Sequence, residues 1–144
     1  MCQINNEMNE RFSEEKGSEC DLYDYFRINY GPPTSMAFRK ARDNFADSLA
    51  AYSLTSYILQ IKDRHNANLI LTKDGHMVHI DFGFFLTDAP GKGLKFEAST
   101  FKLKADYVAI LGGVDGLGFK RFRKNMVDGF LELNKQSTKL ILLV

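Results

Sequence analysis

The sequence predicts an α+β fold that is mostly helical, with one short β-hairpin set between helices. Three observations carry this reading. Apolar residues recur at three- and four-residue intervals over residues 34–60 and 119–134, the repeat of a helix with one buried face. Two apolar runs, Leu69-Ile70-Leu71-Thr72 and His76-Met77-Val78-His79-Ile80, flank Lys73-Asp74-Gly75, and Asp-Gly in that setting is a hairpin turn signal. Gly31-Pro32-Pro33 and Gly112-Gly113 punctuate the helical stretches, because neither pair of residue types continues a helix.

Residues 1–20 are rich in Glu, Asn and Ser with scarcely an apolar side chain, so they are expected to form a disordered or linker segment. Asp21 to Tyr30 predicts a short helix stopped by Gly31-Pro32-Pro33. Thr34 or Ser35 then caps a long helix to about Gln60, with Phe38, Ala41, Phe45, Leu49, Tyr52 and Ile58 on its apolar face. That face broadens after Phe45, which leaves room for a break near Asp43 to Phe45. An aromatic stripe at helical spacing is read as core rather than as a ligand site.

In the hairpin, His76 and His79 are three apart and so point to opposite faces, which argues for two structural histidines and against a shared metal ion. From Asp81 to about Lys102 the chain carries Pro and several Gly among mixed charges, a loop too long for a plain connector and therefore functional. Leu103 to Leu111 predicts a helix ended by Gly112-Gly113. Phe119 to about Asn134 predicts another, with Phe122, Met126, Phe130 and Leu133 as its buried stripe. Lys120, Arg121, Arg123 and Lys124 crowd the start of that helix, where its dipole disfavours cations. They read as a solvated face, with a membrane or acidic-partner contact as the alternative. The last residues, Lys139 to Val144, are apolar and call for further structure to cover them.

The chain has 144 residues, 44% of them hydrophobic, and a formal charge of +1, which suits one ordinary globular domain and gives no sign of nucleic-acid binding. Cys2 and Cys20 do not make a disulfide framework and fit a reducing compartment. There is neither an apolar run of membrane-spanning length nor the pattern of a signal peptide, so a cytoplasmic or peripheral location is expected.

The chemistry concentrates in Ile61-Lys62-Asp63-Arg64-His65-Asn66-Ala67-Asn68 and His79-Ile80-Asp81-Phe82-Gly83, one at each end of the hairpin. Phosphoryl transfer requires divalent metal on the nucleotide phosphates and a group that orients the attacking hydroxyl and takes its proton. Asn68 and Asp81 offer hard oxygen ligands of the sort Mg²⁺ prefers, and Asp63 and His65 remain to face the acceptor.

Asp63-Arg64-His65 with Asn68, followed by Asp81-Phe82-Gly83, resembles the catalytic and metal-binding loops of the phosphatidylinositol 3-/4-kinase superfamily, in which the protein-kinase order His-Arg-Asp is reversed. Lys62, Asn66 and Phe84, with Phe96-Glu97 and Phe101-Lys102-Leu103, are similar to the type III, beta-like phosphatidylinositol 4-kinases. Ala67 and Lys95 depart from that pattern, each standing where the family carries Gly.

The resemblance implies that residues 21–144 are the mostly helical C-terminal lobe of a protein-kinase-like fold, and that Asn68 and Asp81 hold Mg²⁺ or Mn²⁺ on ATP with Ile80 beside them. It implies that Asp63 and His65 handle the acceptor hydroxyl and the transferring phosphate, with the choice of base open. Lys62, Arg64, Phe82 and Gly83 would support them, Arg64 as an ion-pair partner within the loop. Lys92 and Lys95 lie in the family's substrate loop, where either headgroup contact or simple solubility accounts for them. The scarcity of basic residues there favours a headgroup of low charge.

The expected function is ATP-dependent phosphorylation of phosphatidylinositol at the inositol 4-hydroxyl, on the surface of an intracellular membrane. No phosphate-covering loop or phosphate-holding Lys precedes residue 21, so the nucleotide-binding lobe is expected elsewhere in a larger kinase. The alternatives are an inactive remnant that binds membranes or proteins, and a protein kinase of the same superfamily, which Lys62, Asn66 and Phe84 disfavour.

Overall fold

The computed structural model describes residues 21–86, 99 and 101–142. The segment 1–20, expected to be a linker, lies outside the described residues.

Helix α1 (Leu22–Tyr30) starts where the Asp21 carboxylate accepts the Asp24 N–H at 2.8 Å and stops at Gly31, whose backbone is left-handed. Ser35 then serves two helices at once. Its hydroxyl donates to Tyr30 O at 2.8 Å, satisfying the end of α1, and accepts the Phe38 N–H at 3.1 Å as the N-cap of α2 (Met36–Leu59).

Helix α2 is continuous, and the break allowed near Asp43 to Phe45 does not occur. Its apolar face is broad because it packs on several neighbours: α1, the hairpin and the helix of residues 117–135 all lie against it. Ala41, Ala46 and Ala50 let those elements approach closely without bending the helix, while Phe38, Phe45 and Leu49 fill the space between them.

The centre of the core is aromatic. Phe26 of α1 meets Phe38 and Phe45 of α2 edge to face, with ring centroids 6.0 and 5.5 Å apart, and Phe45 meets Tyr107 in the same manner at 5.5 Å. Such pairs add about 0.5–1.5 kcal/mol each beyond the area they bury.

The hairpin is tighter than predicted: β1 (Leu69–Leu71) pairs antiparallel with β2 (Met77–His79), with Leu69 opposite His79 and Leu71 opposite Met77. Lys73-Asp74-Gly75 makes the turn, closed by Gly75 N–H to Thr72 O at 3.0 Å. Gly75 takes φ +92°, and a Cβ there would stand 2.7 Å from Ala41 O of α2. The turn is thus pressed onto the long helix, which grips it further through Asn44 Nδ2 to Asp74 O (2.7 Å) and the Met77 N–H to Ser48 Oγ (2.9 Å).

Helix α3 (Ala105–Ile110) begins two residues later than predicted and ends at Gly112-Gly113, both left-handed. Helix α4 (Leu117–Lys135) begins two residues earlier than predicted, from Gly116. It lies along α2, so closely that a Cβ at Gly129 would meet Leu54 Cδ1 at 2.5 Å.

The predicted stripe of α4 holds for Phe122, while Met126 and Leu133 are half-buried and Phe130 is 46% exposed. Phe130 sits where α2 is running out, and among the described ring contacts it only rests edge-on against Tyr57 at 6.1 Å. Within the basic cluster, Arg121 makes a two-pronged pair with Asp47 of α2 at 2.6 Å in each prong, and Lys124 pairs with Asp128 one turn along. The cluster is therefore partly an interhelical clasp rather than wholly a solvated face. A short helix α5 (Ser137–Ile141), which the apolar ending had not indicated, follows with Ile141 and Leu142 exposed.

Candidate active site

The loop after α2 is shaped by backbone that most side chains avoid. Gln60 ends the helix in the left-handed region, and Asp63 and Asp81 also have positive φ, +62° and +56°. Asp tolerates this conformation better than most residues, and strained backbone of this kind concentrates at functional sites. Lys62 N–H donates to Phe84 O at 3.0 Å and Leu86 N–H to Leu59 O at 2.7 Å, so the two motif segments run side by side. A single 3₁₀ turn, Asn66–Asn68, then leads into β1, and Ile80 N–H closes the far end of the hairpin on Asn68 O at 3.0 Å.

Arg64 fastens this arrangement. It is 7% exposed, and its guanidinium donates to three carbonyls: Nε to Lys62 O at 3.0 Å, Nη1 to Ile80 O at 2.7 Å, and Nη2 to Asp81 O. It also lies 5.3 Å from the centre of the Phe82 ring, which is itself 44% exposed. These described bonds run to backbone. The reason is geometric: a planar fork of donors matches the converging carbonyls of two irregular loops, which lack ladder partners of their own.

Asp63, His65 and Asn68 come together above this clamp. His65 Nε2 is 3.7 Å from Asp63 Oδ2 and 3.3 Å from Asn68 Nδ2, and Asn68 Nδ2 donates to Asp63 O at 2.8 Å. Asn68 is 6% exposed, whereas Asp81 is exposed. Ile80 is engaged at both backbone polar groups, and a Cβ on Gly83 would stand 3.6 Å from Asp81 Oδ1. Lys92 and Lys95 lie outside the described residues.

The hairpin histidines separate as expected. His76 Nδ1 is 3.0 Å from Asp74 Oδ2 at the turn, and His79 stacks on Tyr52 with ring centres 4.3 Å apart. Burial, reinforced by the charge of Arg64, lowers the His79 pKa to about 4, so this ring is neutral near pH 7. His79 Nδ1 and Ser56 Oγ are buried without a hydrogen-bond partner among the described residues, and both residues line a cavity of about 30 Å³ that Arg64 also borders, room for one ordered water.

Two residues that the sequence reading gave no role in the site contact its catalytic loop. Lys102 Nζ donates to Arg64 O at 3.2 Å, and Lys104 Nζ donates to Asn66 Oδ1. The signal available was Lys104 itself, a cation in the first turn of a predicted helix, where the dipole disfavours it. Among the described residues no three His, Cys, Asp or Glu groups gather as a metal cage, and no helix is long and apolar enough to cross a membrane.

The chain is similar in sequence to known proteins of one family. The family described as phosphatidylinositol 3- and 4-kinase matches residues 1–144. Among similar proteins, the phosphatidylinositol 4-kinase of Dictyostelium discoideum is 47% identical over 85% of this chain, which spans 10% of that relative. The phosphatidylinositol 4-kinase PIK1 of Saccharomyces cerevisiae is 44% identical over 89% of the chain, spanning 12% of the relative. The phosphatidylinositol 4-kinase beta of Sorex araneus is 42% identical over 90% of the chain, spanning 16% of the relative. With reversed catalytic-loop order, a hairpin between the two motifs, and a match along its whole length, the chain belongs to the phosphatidylinositol 3- and 4-kinase family.

Proposed function

We propose that this chain carries the phosphotransfer residues of a phosphatidylinositol 4-kinase, which moves the γ-phosphoryl group of ATP to the inositol 4-hydroxyl at a membrane surface. The observation that carries the reading is the Arg64 clamp, which ties the loop bearing Asp63, His65 and Asn68 to the loop bearing Asp81. Two separate motifs are thereby held as one rigid constellation, as positioning for in-line transfer demands. The similarity to 4-kinases supports the choice of ring position and of lipid.

The donor set fits a hard divalent cation. The Asn68 amide makes its described bonds through Nδ2, leaving an oxygen as its acceptor atom, and Asp81 is an exposed carboxylate. Two oxygen ligands suffice for Mg²⁺, or for Mn²⁺ in its place, because such ions complete their shell with water and phosphate. When bound, the metal would neutralise charge on the nucleotide phosphates.

The inositol oxygen attacks the γ-phosphorus, the bond from that phosphorus to the β,γ-bridging oxygen breaks, and ADP leaves. The proton of the hydroxyl passes to the Asp63–His65 pair, whose side chains adjoin and are open to an incoming acceptor. Asn68 holds both members, through the Asp63 carbonyl and the His65 ring. Residues beyond this chain would supply the second wall of the nucleotide site.

The test is Asp81→Ala in the full-length kinase, assayed with ATP, Mg²⁺ and phosphatidylinositol vesicles. Turnover is expected to fall at least about a hundredfold, the scale of losing a charge-stabilising group, with the fold retained because the carboxylate is exposed and Ala in this left-handed backbone costs only about 1–2 kcal/mol. Undiminished turnover would show that Asp81 has no such role. Phosphorylation of a peptide in preference to lipid would overturn the substrate assignment.

A further inference from the structure

Lys104 stands where a helix asks for a different residue. It is the N-cap of α3, in extended backbone, and no side-chain hydrogen bond caps the helix. N-caps favour Ser, Thr, Asp and Asn because a short oxygen-bearing side chain can accept from the first free N–H groups. A lysine offers no acceptor, and it puts a cation at the positive end of the peptide dipoles. Burial lowers the Lys104 pKa, Lys102 lowers it further, and Asp106 opposes them. A residue that breaks a local rule with only partial compensation inside its own element points to a role outside it.

The compensation lies in the catalytic loop. The Lys104 ammonium donates to Asn66 Oδ1 and sits 5.6 Å from the centre of the Tyr107 ring, which steadies its direction. Lys102 donates to Arg64 O at 3.2 Å. The two lysines therefore hold the residues on either side of His65. The His65 side chain is 53% exposed, so packing alone does not fix the loop at that point.

We propose that Lys104 is a positioning residue, which gives up a proper cap on α3 in order to hold Asn66 and, with it, the loop that presents His65. The contact stands on its own; its catalytic consequence rests on the phosphotransferase reading above.

Lys104→Ser restores a capping oxygen and removes the tether, and Asn66→Ala removes the other half of the contact without touching α3. For both, exchange of the Asn68 amide, which bonds His65 O at 3.0 Å, is expected to accelerate about tenfold in the full chain while α4 amides stay protected. Lys104→Ser is also expected to keep or raise the thermal midpoint. In the lipid assay it should lower kcat about ten- to hundredfold, the order that displacing a reacting group costs, with KM for ATP unchanged. Lys104→Arg should recover most of that loss.

Unchanged Asn68 exchange in both variants would overturn the tether. Accelerated exchange with undiminished kcat would overturn its role in positioning. A parent protein that phosphorylates no lipid would refute the phosphotransferase reading, and the exchange result would then decide the tether alone.

Discussion

Arg64→Met isolates the clamp between the two motif loops, because Met keeps the aliphatic bulk and removes every donor. Three carbonyls, those of Lys62, Ile80 and Asp81, lose their described partner. A hydrogen bond to a charged group contributes about 1.5–3 kcal/mol, so three give an upper bound of roughly 5–9 kcal/mol. Two effects reduce it. The buried guanidinium no longer has to be stripped of water, which offsets several kcal/mol. Asp81 is exposed, so water can reach its carbonyl. The net cost expected is about 2–4 kcal/mol, or roughly 8–16 °C in thermal midpoint at about 4 °C per kcal/mol for a domain of this size. Calorimetry reads the midpoint, and hydrogen exchange of Ile80 N–H, bonded to Asn68 O, reads whether the loss is at the hairpin end. Arg64→Lys should restore about one bond's worth and no more, since an ammonium is a point donor without a planar fork. A shift of Arg64→Met below about 2 °C would refute the reasoning, because by the same conversion the three bonds would then contribute under about 0.5 kcal/mol.

Three further outcomes are expected. Gly75→Ala should destabilise by about 2–4 kcal/mol in urea unfolding, since φ +92° is strained for any side chain and the new Cβ meets helix backbone at Ala41 that cannot step aside; a neutral result would mean the turn is not held against α2. His79 has a folded pKa of about 4 against an ordinary 6.5, so the unfolded chain binds the extra proton and stability is lost as pH falls from about 6.5 to about 4. His79→Phe, which keeps a ring against Tyr52, should flatten the stability profile across that window; an unchanged slope would assign it to other groups. Asp47 is held below the usual carboxylate range by its hydrogen bonds from Arg121, so it stabilises above pH 4 and that contribution fades as pH falls further; Asp47→Ala should cost about 0.5–1 kcal/mol near neutral pH, the range for a half-exposed pair, and nothing extra in strong acid.

Helix positions, the hairpin and its turn were legible in the sequence because they depend on near neighbours. The period of Phe38, Ala41, Phe45 and Leu49 and the Asp74-Gly75 turn are local signals, and a cap at Thr34 or Ser35 follows from residue type, the structure choosing Ser35; Ile58, read on the same face, is exposed. The motifs were legible for a different reason: phosphoryl transfer needs particular groups in a particular order, and that order survives in the one-dimensional string. The burial of Phe130 was misjudged because exposure depends on what lies across from a face, and α2 ends there.

By itself, then, the sequence determined the local elements, the family and the chemical identity of Asp63, His65, Asn68 and Asp81. Only the tertiary structure decided how they are held. The hold of Arg64 on the Ile80 and Asp81 carbonyls and the reach of Lys104 to Asn66 join residues far apart in the chain. Such contacts leave no periodic trace, since a donor and an acceptor brought together by folding need share neither spacing nor pattern, only a place.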